Sequence, residues 1–262
     1  EGLPPEHGLQ QGKGYRLGQL HHVPFIFSSN GHLFVEYDEE AGTTSEPKPL
    51  AQFPTPDELV QRYLALRGLN PQTHAFKLLQ IPYTQGLDHF RYYPDAGMRA
   101  TFEQIIRAAQ DHKPARVLLP IATGGGKTRM AAGLLRRISD AGLMGKALFV
   151  CDRTELHDNG LSDFQAAFGN DAAEIDTRNP QKNAKVLIAT YQTLGLDDEE
   201  GFASFLSEHY GPDAFSVIVI DECHRSAWGR WSEVLRRNPG AIHIGLAHQL
   251  AQSRDGIVSH HF

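Results

Sequence analysis

The run Val217-Ile218-Val219-Ile220 is apolar without a break and leads directly into Asp221-Glu222. A strand with one wet face alternates apolar and polar residues, so a strand with no polar position has to be covered on both faces. Helices connecting parallel strands provide that cover. From about residue 99 onward the chain has this rhythm. It predicts helix 99–111, strand 116–121, a glycine-rich turn at 124–126 opening a helix to about Asp140, and strand 146–151. Helix 154–168, strand 185–190, helix 200–210, strand 216–221, helix 228–237 and strand 241–245 follow. The expected fold class is α/β, with a mostly parallel, doubly wound sheet.

The first hundred residues read differently. Residues 1–20 are rich in Gly and Gln with weak periodicity, and no element is predicted there. Val23 to Phe27 reads as a strand, Ser28-Ser29-Asn30-Gly31 as a tight hairpin turn, and His32 to Tyr37 as the return strand. Residues 38–56 are acidic, then Pro-, Thr- and Ser-rich, and read as a linker. A helix is then expected with Thr55 as cap, Pro56 at its first position, Glu58 completing a capping box, and Gly68 as terminator. Its predicted buried stripe is Leu59, Tyr63 and Leu66. Residues 69–98 read as irregular and proline-broken.

Composition excludes several function classes. No apolar run is long enough to span a membrane, and the first residues lack the layout of a secretory signal. A net charge of −6 argues against coating nucleic acid by bulk charge, though backbone amides and a few hydroxyls can still form a local phosphate track. The two cysteines, Cys151 and Cys223, are far apart and form no metal pair, which fits a reducing, cytoplasmic compartment. Of the 14 histidines, the pairs His21-His22 and His260-His261 lack any wider ligand spacing, so no metal is assigned to them.

Two segments carry chemistry. The first is Leu118-Leu119-Pro120-Ile121-Ala122-Thr123-Gly124-Gly125-Gly126-Lys127-Thr128, with a strand before it and a helix after it. Glycines let the backbone curl so that its amides point at phosphate oxygens, and a helix N-terminus adds partial positive charge. Thr123, Gly124, Gly125, Gly126, Lys127 and Thr128 are the candidate ATP-binding residues. The Lys127 ammonium reaches the β- and γ-phosphates, and the Thr128 hydroxyl ligates Mg²⁺. The alternative is a glycine-rich turn followed by an exposed lysine. The second segment is Asp221-Glu222-Cys223-His224, at the carboxyl end of an apolar strand where open α/β sheets bind ligands. Asp221 is placed to hold Mg²⁺, Glu222 to polarise an attacking water, and His224 to relay the nucleotide state. The alternative here is an acidic strand end that caps the next helix. The catalytic reading requires Lys127 and Asp221 to converge on one magnesium-bound triphosphate.

Together these segments resemble the superfamily-2, DEAD/DEAH-like helicases, with DECH as the box. Such motors relax the first glycine of the phosphate loop, where Ile121 stands here. Ala147 to Leu156 and Val186 to Leu194 are similar to the family's two DNA-contacting motifs. The resemblance implies that Arg153, Thr154, Thr190 and Gln192 grip the sugar-phosphate track, with ordinary loop capping as the alternative for each. The text from Asp221 to Trp231, DECHRSAWGRW, narrows the resemblance to the R (motor) subunit of type I restriction endonucleases. Phe25 to Gly31, the Gln11…Tyr15 spacing, and Phe53 to Leu59 are similar to the end of that subunit's nuclease domain and its linker helix.

The resemblance implies an ATP-dependent DNA translocase and hydrolase with a RecA-like P-loop domain. Its cofactors are ATP and Mg²⁺, and its partners are double-stranded DNA and the modification and specificity subunits. The implied division is 1–52 nuclease remnant and linker, 53–98 linker helix and pre-motor segment, 99–246 first RecA-like domain, and 247–262 a divergent tail. Four departures qualify it. The nuclease's metal-binding residues would precede residue 1. Pro94 stands where the family has an adenine-reading Gln. Ala247-His248-Gln249-Leu250 replaces Thr-Ala-Thr-Pro, as a frame change would produce. The second motor lobe, which carries a transition-state arginine, is absent, so weak ATP binding and slow hydrolysis are expected. Another superfamily-2 DNA or RNA helicase and a non-catalytic nucleotide-binding remnant remain the alternatives.

Overall fold

A computed structural model of the chain describes residues 3–19, 24–38, 42–81, 92–121, 126–151, 160–175, 179–191, 193–194, 205, 208–221 and 234–247. The helices expected over 200–210 and 228–237 fall largely outside these residues. The chain forms two compact units, Glu1–Pro71 with Asp88–Arg99, and Gln72–Leu87 with Ala100–Phe262.

The first unit is built on an antiparallel hairpin of β1 (Phe25–Ser29) and β2 (Leu33–Asp38), in which Ile26 lies opposite Tyr37 and Ser28 opposite Val35. Asn30 makes the turn: its Oδ1 accepts from the amides of His32 at 3.1 Å and Leu33 at 2.9 Å. Inside the segment read as a linker, β3 (Thr43–Thr44) and β4 (Lys48–Pro49) both pair with β2. Phe53 then packs on Phe27 and Phe34, with ring centroids 4.7 and 5.1 Å away. Helix α1 (Leu9–Gln19) is not foreseen by the sequence. A Cβ at Gly12 would lie 3.1 Å from Ile26 Cγ2, so a residue without a side chain lets the helix approach β1. The approach outweighs a propensity cost of about 1 kcal/mol per glycine.

Helix α2 (Pro56–Arg67) has the expected start and stop. The Glu58 amide donates to Thr55 Oγ1 at 3.3 Å, the Thr55 amide donates to Glu58 Oε2 at 2.7 Å, and Gly68 ends the helix in the left-handed region. The predicted stripe needs correcting. Leu64 is the buried residue, Leu59 and Tyr63 are half-buried, and Leu66 is exposed. The covered face passes through Tyr63, Leu64 and Arg67, which leaves Leu66 at its margin.

Helix α4 (Tyr92–Gln110), preceded by the short α3 (Lys77–Gln80), starts seven residues earlier than predicted. Pro94 sits in its first turn, where a missing amide breaks no helical hydrogen bond.

The second unit holds a six-stranded, all-parallel sheet in the order β5-β10-β9-β6-β8-β7. The strands are β5 (Arg116–Pro120), β6 (Ala147–Cys151), β7 (Ala172–Glu174), β8 (Val186–Thr190), β9 (Val217–Ile220) and β10 (Ile242–Ala247). Helix α5 (Lys127–Asp140) follows β5, and α6 (Leu161–Phe168) follows β6. All residues of β6, β8 and β9 are buried, as their unbroken apolar text demands. Each fully buried aliphatic side chain contributes about 1.5–3 kcal/mol. Phe149 and Phe164 pack α6 against the sheet with centroids 4.7 Å apart. Ala247 pairs with Pro120 and is buried, so β10 runs two residues past its predicted end. The edge strand β7 is unforeseen, since three residues carry no periodicity. From β5 the chain crosses two strand positions to reach β6, then returns through β9 and β10 to lie beside β5. In open α/β sheets, ligands bind outside the carboxyl ends of the strands at such a reversal.

Among the described residues no helix is long and apolar enough to cross a membrane.

Candidate functional site

At the carboxyl edge, Ile121 donates its amide to Ala247 O at 2.7 Å and Asp221 donates its amide to Val150 O at 2.9 Å. The ends of β5, β10, β9 and β6 are thus fixed up to the residue at which each loop departs. Gly126 follows in the left-handed region (φ 76°) as the N-cap of α5, where a side chain would be strained. It provides no side-chain acceptor for the first-turn amides, and that turn holds no acid. It holds Lys127 instead, at the end of the helix where the dipole disfavours a cation.

Lys127 compensates by facing Asp221. Its Nζ lies 3.6 Å from Asp221 Oδ1, and the two side chains are 7% and 1% exposed. The separation is within ion-pair range but longer than a direct hydrogen bond. At an effective dielectric near 20 the attraction is about 4 kcal/mol. Desolvating two ions costs several kcal/mol each. The pair therefore adds little net stability, and its presence fits a site that handles charge. Thr128 is half-buried beside Lys127.

Of the sequence-predicted site residues, the structure brings together Gly126, Lys127, Thr128 and Asp221 at one end of the sheet. Thr123, Gly124, Gly125, Arg153, Thr154, Gln192, Glu222 and His224 lie outside the described residues, as do His21-His22 and His260-His261. Thr190 is buried, and its hydroxyl lies 2.9 Å from that of Thr193 and accepts the Thr193 amide at 3.1 Å. This hydroxyl caps its own turn.

Sequence reasoning missed Tyr191. Its hydroxyl donates to the main-chain carbonyl of Asp221, and its amide donates to Cys151 O at 3.2 Å. Only the order of the strands makes these residues neighbours, and no spacing in the sequence signals that. Cys151 is buried with its Sγ 3.9 Å from Ala189 O, so it acts as a core residue. Among the described residues no group of three or more His, Cys, Asp or Glu could hold a metal by themselves.

Residues 89–247, more than half of the chain, match the family model described as "Type III restriction enzyme, res subunit". The chain belongs to this family. Within it, the curated relatives are type I enzymes. The endonuclease subunit of the type I restriction enzyme EcoAI from Escherichia coli is 32% identical, over 91% of this chain and 29% of its own length. The EcoKI endonuclease subunit of Escherichia coli K12 is 27% identical, over 78% of this chain and 18% of its own. The chain thus spans less than a third of either subunit. Among solved structures, a fragment of a candidate HsdR subunit of a type I restriction enzyme from Vibrio vulnificus YJ016 superposes with a TM-score of 0.72 at 25% identity. That superposition covers 99% of this chain and 44% of the other. The UvsW helicase of bacteriophage T4 shares the fold, with a TM-score of 0.50 at 15% identity over 87% of this chain and 93% of the other. The chain thus resembles part of the type I endonuclease subunits and shares an α/β fold with these structures, with a small antiparallel sheet before the parallel one.

Proposed function

We propose that this region is the ATP-binding half of a DNA-translocating motor within a type I restriction endonuclease subunit. The observation that carries the reading is the buried Lys127–Asp221 pair at the carboxyl edge of a parallel sheet. The residues fit magnesium–ATP. A buried cation stands at a helix N-terminus with no side-chain cap, and a buried carboxylate lies opposite. Bound Mg²⁺ supplies charge neutralisation for phosphoryl transfer.

In this reading the amides of residues 124–128, with Thr123 beside them, cradle phosphate oxygens, and Lys127 holds the β- and γ-phosphates. Thr128 and Asp221 ligate the metal ion. Glu222 polarises the attacking water, and His224 passes the state of the site to the neighbouring lobe. Arg153, Thr154, Thr190 and Gln192 form the DNA track. Because the Thr190 hydroxyl is engaged within its turn, Thr190 acts there by shaping the main chain. Double-stranded DNA and the modification and specificity subunits are the partners.

Titration of the 262-residue chain with a fluorescent ATP analogue and Mg²⁺ tests the reading. Lys127→Ala removes a charge-assisted contact of about 1.5–3 kcal/mol, so affinity should fall at least ~10-fold. Thermal melts would establish that both chains are folded. Equal binding by parent and variant would replace the motor with a non-catalytic remnant.

A further inference from the structure

Lys127 and Asp221 differ in how firmly each is held. The Asp221 amide donates to Val150 O at 2.9 Å and its carbonyl accepts from the Tyr191 hydroxyl, so the main chain of the acid is fixed on both sides. Lys127 carries its ammonium on a flexible four-carbon stem, and it is the member of the pair that can move. Gly126 offers the first turn of α5 no side-chain acceptor and that turn holds no acid, so the carboxylate that faces Lys127 comes from across the sheet edge. Both side chains are buried, with Nζ 3.6 Å from Oδ1. An ammonium at that distance stands beside Oδ1 where a divalent cation would bind, and a second cation brought there meets like charge. A phosphate chain arriving alone must draw the ammonium away and leave a buried carboxylate facing its own negative charge. Only a ligand that brings an anion for Lys127 and a cation for Asp221 replaces both partners at once.

We propose that the Lys127–Asp221 pair is a latch that admits a divalent cation and a polyphosphate together and bars each alone, so that the site selects the metal–nucleotide complex over free nucleotide and free metal. This selectivity rests on the function proposed above. It gives Lys127 a second task, as the cation that neutralises Asp221 until metal arrives. The two ligands help one another by one shared factor, since each frees the other's protein partner.

The experiment titrates the 262-residue chain with a fluorescent ATP analogue, in excess EDTA or in Mg²⁺. Parent, Asp221→Asn, Lys127→Met and the double variant are compared, each with a thermal melt. Asp221→Asn should act in opposite directions on the two ligand forms. The free analogue should bind it ~100-fold more tightly than it binds the parent, because no buried pair has to be broken, and the magnesium form should bind it more weakly. In the Lys127→Met background the same substitution should raise the affinity for free analogue at least ~10-fold less. An equal gain in both backgrounds overturns the latch, since the carboxylate would then repel phosphate without the lysine. So does a parent that binds free analogue as tightly as the magnesium form. Should Lys127→Met melt, the ¹⁵N-lysine-labelled parent gives a second readout. Mg²⁺ alone should leave the Lys127 ammonium resonance in place, and Mg²⁺ with the analogue should shift it. A shift with Mg²⁺ alone overturns the latch. In each of those cases the proposed function still stands. A folded parent that binds the analogue under neither condition sinks that function and the latch with it.

Discussion

The two ends of the sheet handle polar and charged groups in opposite ways. At the amino end, polar groups are tied to main-chain atoms. The Arg116 guanidinium donates to the carbonyls of Ala115, Ala241 and Pro239 at 2.7–2.9 Å. Asn238 accepts the Phe215 amide at 3.0 Å and donates to Val234 O at 2.9 Å. The His243 ring donates from Nε2 to Asn238 O at 3.0 Å, which leaves Nδ1 bare and buried without a hydrogen-bond partner. Burial first, then the Arg116 charge, lowers the His243 pKa to about 4, partly opposed by the bond to Asn238. Lys146 likewise donates to the carbonyls of Lys182 and Ala184. At the carboxyl end, Lys127 meets a carboxylate at 3.6 Å. Main-chain carbonyls cannot leave, so the amino end is a fixed joint. A carboxylate and an ammonium can each exchange one partner for another, which suits the carboxyl end to a charged ligand in the proposed function.

The largest effect should come from breaking the exchangeable pair. Lys127→Met strands a buried carboxylate and should destabilise the unit by about 3–5 kcal/mol, read by urea denaturation. Lys127→Met with Asp221→Leu should recover most of that. A double variant no more stable than the single one would mean that the two charges do not interact.

The fixed end should show itself through pH. Above pH 6.5 His243 is neutral folded or unfolded. Between 6.5 and about 4 the unfolded chain takes up a proton that the folded chain refuses. Stability therefore falls with pH across that window, by up to ~3 kcal/mol at pH 4. His243→Leu cannot titrate, so the stability difference between parent and variant should change over this range. A constant difference would show that the ring already protonates in the fold.

Smaller effects sharpen the contrast. Arg116→Ala should cost about 1–2 kcal/mol from lost charge-assisted bonds at a partly exposed site, with nucleotide affinity unchanged. Weakened binding in that variant would mean that the two ends are not independent. Gly126→Ala forces a side chain into a left-handed conformation and should cost about 1 kcal/mol. Unlike Arg116→Ala, it should also weaken the fluorescent ATP analogue.

The sequence by itself determined each element whose signal is local. The capping box at Thr55 and Glu58, the Asn30 turn, and the apolar strands 147–151, 186–190 and 217–220 follow from hydrogen bonds and burial within a few residues. So do the glycine at the start of α5 and the acid at the end of β9. Tertiary structure decided the rest. It set β10 between β5 and β9, made a helix of the glycine-rich Leu9–Gln19 by close approach to β1, and buried Leu64 in place of Leu66. It also brought Lys127 to Asp221 and the Tyr191 phenol to the Asp221 carbonyl. Those contacts join residues tens of positions apart, and short-range pattern carries no information about which strands lie side by side.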